Sequence, residues 1–278
     1  MGSVVITGKR YLAHPEAADR HGPFTKTFLA EGDSWMDASA AAQGSLPEYL
    51  TQEFNRRGKS YLIINISTSG QTLRRIESTM QGDYVWWLQQ MPFDALLFSA
   101  AGNDFIDAAR DPNAGQGLLR DMAGQAQPAD GYDCVQAHAL AQLRRYLNYH
   151  FDSMVAALRS SSKNASTPVY LNCYDTPTAR DAAAIPGLVG PWLHKAYVKN
   201  GIAPALWPSL TQGLFKDILA IVEGWSRSHA GVQAVPTSGR LLAAAVGSSG
   251  SNADWKNEIH PNARGWRKLA PVWADALG

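Results

Sequence analysis

Cysteine is nearly absent from this chain. Cys134 and Cys173 are the only two in 278 residues, so no disulfide framework organises the fold, and a core of this size needs none. They read as two buried free thiols. An excess of charge of either sign is also missing. The 25 Lys and Arg stand against 24 Asp and Glu, a formal net charge of +1. The basic pairs Arg56-Arg57, Arg74-Arg75 and Arg144-Arg145 read as solvated helix faces, so nothing points to nucleic acid as a partner. No apolar run approaches the roughly 18–20 residues needed to span a bilayer. Met1 to Arg10 lacks the basic-then-apolar pattern of an export signal. The expectation is a soluble protein, cytoplasmic if the chain is full length, of open oligomeric state. Several motifs are missing too: a Gly-x-Ser-x-Gly elbow, a His-Glu-x-x-His zinc helix, a Cys-x-x-Cys pair and a Gly-Lys-Ser/Thr phosphate loop. Gly115-Gln116-Gly117 has Arg120 where a dinucleotide fingerprint needs its third glycine.

What is present is an ordinary folded composition, 45% hydrophobic and 18% charged. Short apolar runs alternate with amphipathic stretches, which reads as α/β with a parallel sheet. Lys26–Ala30, Leu62–Ile66, Ala95–Ser99 and Val169–Cys173 have the near-continuous apolar character of strands covered on both faces. Val232–Val235 is a fifth. Ser45-Leu46-Pro47-Glu48 is a capping box with an early proline, and opens a helix that Gly58 can close. Apolar stripes at helical spacing run from Leu140 to Leu158, from Leu210 to Trp225 and from Trp266 to Leu277. The whole of 1–278 reads as one domain with two insertions. Residues 107–133 are rich in Gly, Ala, Gln and Asp. Residues 176–208 carry five prolines together with Trp192 and Trp207, and are a candidate substrate wall or lid. The Gly/Ser-rich stretch 241–253 reads as mobile.

Ser34 follows the first of these strands at once, in Glu31-Gly32-Asp33-Ser34-Trp35. Gly32 permits a sharp turn there, and the hydroxyl is then displayed at the carboxyl edge of a parallel strand, where open α/β sheets bind ligands. A serine needs a base to become a nucleophile. Among seven histidines, His260 has the best setting, in Asn257-Glu258-Ile259-His260-Pro261, just before the last helix. Acyl transfer also needs donors aimed at the oxyanion. Gly70, after the second strand, can present a backbone N–H, and Asn103, after the third, a side-chain N–H.

Ser, Gly, Asn and His thus follow successive strands and precede the last helix in a fixed order. This pattern resembles the SGNH (GDSL-type) hydrolases over nearly the whole chain. Gly32-Asp33-Ser34-Trp35 is similar to the family's first block, with Trp where Leu is usual. Gly70 matches the second block, Gly102-Asn103-Asp104 the third and His260-Pro261 the last. The resemblance implies a flavodoxin-like α/β/α sandwich with a central sheet of about five strands, and no metal or cofactor. It further implies Ser34 as nucleophile, His260 as base, and an oxyanion hole built from the Ser34 and Gly70 amides and the Asn103 side chain. Trp35, Asp104 and Trp192 are candidate substrate contacts.

One position departs from the family. The Asp expected three residues before the histidine is Asn257. Either Glu258 reaches the imidazole by another loop conformation, or Asn257 orients it as a neutral acceptor. Asp254 folding back is the less favoured third choice. Asp33 reads as a brace for the turn. The expected activity is metal-independent hydrolysis of an ester, either a carbohydrate O-acetyl or a short-chain acyl ester. Nine Trp and ten Tyr would suit a sugar-lined cleft, with Trp86-Trp87, Trp192 and Trp207 as candidates. The alternative is a non-catalytic ligand- or carbohydrate-binding protein on the same fold.

Overall fold

The computed structural model describes residues 2–37, 44–78, 81–111 and 116–278. Its centre is a parallel sheet of β1 (Val4–Thr7), β2 (Lys26–Gly32), β3 (Tyr61–Asn65), β4 (Ala95–Ser99), β5 (Val169–Asn172) and β6 (Val232–Val235). The order across the sheet is β1-β3-β2-β4-β5-β6. Without β1 this is the flavodoxin-like 2-1-3-4-5 winding. The sixth strand is the difference from the expected five. Four residues, Val4 to Thr7, add an edge in register with Leu62 to Asn65.

The helices are α1 (Gly8–Ala13), α2 (Glu16–Asp19), α3 (Leu46–Arg56), α4 (Leu73–Ser78), α5 (Gln81–Gln90), α6 (Gly102–Arg110), α7 (Ala137–Arg159), α8 (Leu193–Lys199), α9 (Trp207–Ser228) and α10 (Ala263–Leu277). On one face of the sheet α3 packs along α10; on the other, α4, α5, α7 and α9 pack together. Both faces of β4 are therefore covered, and all five of its residues are buried. The expected helical stripes supply the cover. Leu147, Phe151, Met154 and Leu158 of α7 are buried, as are Leu210, Leu214, Ile218 and Trp225 of α9. The two helices meet at a stacked Phe151–Trp225 pair with centroids 4.2 Å apart. Glu48 accepts from the Ser45 N–H at the start of α3. Asn262 caps α10 by accepting from the Arg264 and Gly265 N–H groups. Cys134 and Cys173 are buried free thiols.

Both long insertions carry structure. In 107–133, positions 112–115 lie outside the described residues. The remainder packs inward through Leu118, Leu119 and Met122, and a bridge joins Leu119 to Val135. The stretch 176–208 contains α8. The stretch 241–253, expected to be mobile, is tied down. Leu242 N–H donates to Asp254, Thr178 to the Ala244 carbonyl and Arg180 to the Gly250 carbonyl. Among the described residues no helix is long and apolar enough to cross a membrane.

The sheet order reverses beside β2. The chain leaves β2 for β3 on one side and later returns to β4 on the other, opening a crevice at the carboxyl ends of the strands. Gly32 ends β2 there with φ +140°. A Cβ at Gly32 would stand 2.3 Å from the Ser99 carbonyl oxygen of β4, so β2 and β4 approach this closely only because residue 32 has no side chain. Gly32→Ala combines a disallowed backbone with this overlap. Its expected cost is at least about 3 kcal/mol, read as a lower urea midpoint than the parent protein.

Candidate active site

Ser34 occupies the first turn of chain beyond β2. Asp33 builds that turn. Its carbonyl accepts from the Met36 and Asp37 N–H groups, and its carboxylate accepts from the Trp35 N–H and the Ser99 hydroxyl, each at 3.0 Å, and from the Tyr174 hydroxyl. Burial pushes Asp33 up to about 6 against these donors. Asp33 is thus a brace, as expected. Its buried partner Tyr174 was not anticipated, although it follows the end of β5 just as Ser34 follows β2.

Trp35 turns inward from the same turn and is only 3% exposed. Its ring packs edge-on against Tyr174 and Trp266, with centroids 5.0 and 5.2 Å away. Its indole N–H donates to the Ile259 carbonyl at 3.2 Å. The residue after the serine is therefore bonded to the residue before His260. The Ser34 hydroxyl lies 2.7 Å from His260 Nε2 across 226 positions of sequence.

The side chain that meets the imidazole Nδ1 is that of Asn257, not of Glu258 or Asp254. Asn257 Oδ1 accepts from the Ile259 and His260 backbone N–H groups at 3.1 and 2.9 Å, and lies 3.0 Å from His260 Nδ1. Two backbone donors fix that atom as the amide oxygen, because an amide NH₂ there would face them. His260 Nδ1 therefore carries the proton and Nε2 is left bare to accept from Ser34. Burial holds the His260 imidazole down at about 4, with the Lys256 ammonium adding to the effect.

Glu258 does something else. Its carboxylate accepts from the N–H groups of Trp192, Leu193 and His194, the first turn of α8, and from the Arg180 N–H. A carboxylate is favoured at a helix N-terminus, where free N–H groups converge. Burial pushes Glu258 up to about 7 against these four donors. Arg180 adds a 2.6 Å bond to the Asn257 carbonyl. The second insertion is thereby stapled to the histidine loop. Asp254 is occupied elsewhere, by Arg264, Lys268 and the Leu242 N–H.

The oxyanion candidates lie on neighbouring loops. Gly70 has φ +78°. Its loop is held by Asp37, which accepts from both the Ser69 N–H and hydroxyl at 2.8 Å. The Asn103 amide donates to the Gln71 carbonyl at 2.9 Å. A pocket of about 300 Å³ brings together Ser34, Gly70, Asn103, His260 and Trp192, whose indole stands edge-on to His260 at 5.3 Å. Asp104 does not line this pocket. It is buried and accepts from the Leu73 N–H, anchoring the start of α4. Trp86 and Trp87 line a separate groove and Trp207 packs near His194. The aliphatic wall of Ala184, Ile185 and Val189 escaped sequence reading, since nothing in a proline-rich stretch marks which residues face a site. Among the described residues, no three His, Cys, Asp or Glu side chains converge as metal ligands.

No family model matches the chain, and no curated protein matches it. Among solved structures it is similar to an acetylxylan esterase of Geobacillus stearothermophilus, at 13% identity over 93% of this chain and 96% of that one, with a TM-score of 0.48. It is also similar to a GDSL-like lipase of Parabacteroides merdae, at 14% identity over 92% and 97%, with a TM-score of 0.47.

Three outcomes are expected from the histidine and its neighbours. A neutral imidazole is needed to take the serine proton, so kcat/KM for p-nitrophenyl acetate should be level above pH 5 and fall as pH drops through about 4. Asn257→Asp adds a negative charge that favours the imidazolium, so the acid limb should move up by about 1–3 units. Glu258→Gln removes the carboxylate from α8 but leaves the Ser34–His260 pair, so KM should rise by a larger factor than kcat falls.

Proposed function

We propose that this chain is a serine ester hydrolase of the SGNH type, working through an acyl-enzyme. The observation that carries the reading is the 2.7 Å Ser34–His260 contact, with the imidazole held in the tautomer that accepts a proton from serine.

The reaction proceeds as follows. Ser34 Oγ attacks the ester carbonyl carbon while its proton passes to His260 Nε2. The carbonyl oxygen takes up negative charge and turns toward the Gly70 N–H, the Asn103 amide and the Ser34 N–H. The imidazolium gives its proton to the alcohol oxygen as that C–O bond breaks, leaving the acyl group on Ser34. Water then attacks the acyl carbon, its proton goes to His260 Nε2, and the serine returns with release of a carboxylic acid. Asn257 keeps the ring oriented throughout, but as a neutral group it lends the imidazolium no charge. That is the one observation favouring the second reading, a binding protein on the same fold.

A fluorophosphonate probe and intact mass distinguish the two. The expected result is one adduct per chain, absent in Ser34→Ala, together with hydrolysis of p-nitrophenyl acetate. Asn103→Ala should lower kcat by about 10²–10³. A protein with neither adduct nor turnover is the binding protein.

A further inference from the structure

Ser34 and Asn103 border two cavities of unequal size, and His260 borders only one of them. The smaller is a cavity of about 20 Å³ walled by Trp35, Ile106, Tyr174, Phe215 and Ile259. The larger is the 300 Å³ pocket walled by Ala184, Ile185, Val189, Trp192 and Ile259. The two halves of an ester part at the carbonyl carbon. The alcohol oxygen must come within reach of the proton on His260 Nε2, so the alcohol occupies the cavity that His260 borders. The acyl substituent leaves the carbonyl carbon in another direction, and the space beside Ser34 and Asn103 there is the small cavity.

The smaller cavity offers only a small fraction of the space of the larger pocket, so a methyl group is favoured there over an alkyl chain. The walls have little room to yield. Trp35, Ile106, Tyr174 and Phe215 are all buried core residues, and close-packed interiors resist displacement. Gly102 lines the same cavity, and even a Cβ there would come within 3.2 Å of the Tyr174 ring. The large pocket has a different character. Among the described residues that line it, beyond the reacting and oxyanion groups, the polar side-chain groups are the Ser69 hydroxyl, which donates to Asp37, and the Trp192 indole N–H. Ile185 and Val189 pair across a bridge, and Leu188 between them is 80% exposed. The Ala184, Ile185 and Val189 side chains offer a sugar hydroxyl no partner, whereas a hydrocarbon face packs against them.

The geometry points to an acetyl ester of an apolar alcohol as the substrate class. The acetyl methyl fills the cavity under Ile106 and Phe215, and the alcohol lies against Ile185, Val189 and Trp192. This inference rests on the esterase reading and deepens it.

The test measures kcat/KM along two ester series. From p-nitrophenyl acetate through butyrate to hexanoate, the value should fall at least tenfold. Across the acetates of methanol, butanol and octanol it should rise, by about fourfold for each methylene that the pocket buries. Phe215→Ala, or Ile106→Ala if the first variant does not fold, should raise hexanoate relative to acetate. A flat or rising acyl series overturns the inference. So does an alcohol series that is flat, or a sugar acetate preferred to butyl acetate. Any of these results alongside a Ser34 adduct leaves the esterase reading standing. No adduct and no turnover of any ester overturns both.

Discussion

The site depends on one hydrogen bond made by a residue that does no chemistry. Trp35 donates to the Ile259 carbonyl, and so ties the turn that carries the serine to the loop that carries the histidine. A serine and a histidine on opposite ends of a chain can hold hydrogen-bond distance only if both backbones are immobile relative to each other. The indole achieves this from within the core, packed against Tyr174 and Trp266. Its size therefore matters twice: as apolar surface removed from water and as a rigid spacer of fixed length. Leu, usual at this place in the resembling family, fills space but has no N–H to donate.

The second constraint is the choice of an amide where a carboxylate is expected. A group beside a catalytic imidazole can select the tautomer, fix the ring plane and stabilise the cation. Asn257 performs the first two through one oxygen shared among three N–H donors. It cannot perform the third. Burial, with Lys256 nearby, then holds His260 down at about 4. The imidazole stays neutral over the ordinary pH range, and in the proposed reaction it must become charged in a place that disfavours charge. Ground-state readiness and transition-state stabilisation are separate quantities here, and the amide supplies only the former.

Glu258 shows how a carboxylate near a histidine can belong to another part of the molecule. Its oxygens face the free N–H groups at the start of α8. The insertion bearing Trp192, Ile185 and Val189 is thereby held to the loop that holds His260. Pocket wall and histidine loop share one buried anchor, Glu258 with Arg180 beside it.

Much of this was legible in the linear chain. Near-continuous apolar runs such as Ala95–Ser99 marked the buried strands, helical stripes such as Leu210–Trp225 marked their cover, and the order of Ser34, Gly70, Asn103 and His260 singled out residues that meet at one pocket. These signals are local: a period of burial, a turn residue or a motif is written in a few neighbouring positions. Val4–Thr7 escaped notice as a short edge strand, most of it only partly buried or exposed. Three other matters could be decided only by the tertiary structure. It put Asn257 rather than Glu258 against the imidazole, turned Trp35 inward to the core and Asp104 away from the pocket, and set Ile106 and Phe215 against one cavity and Ile185 and Val189 against another. Adjacent side chains on a loop point in directions set by whichever distant donors and surfaces they meet. Local sequence carries no record of those partners until the chain has closed around them.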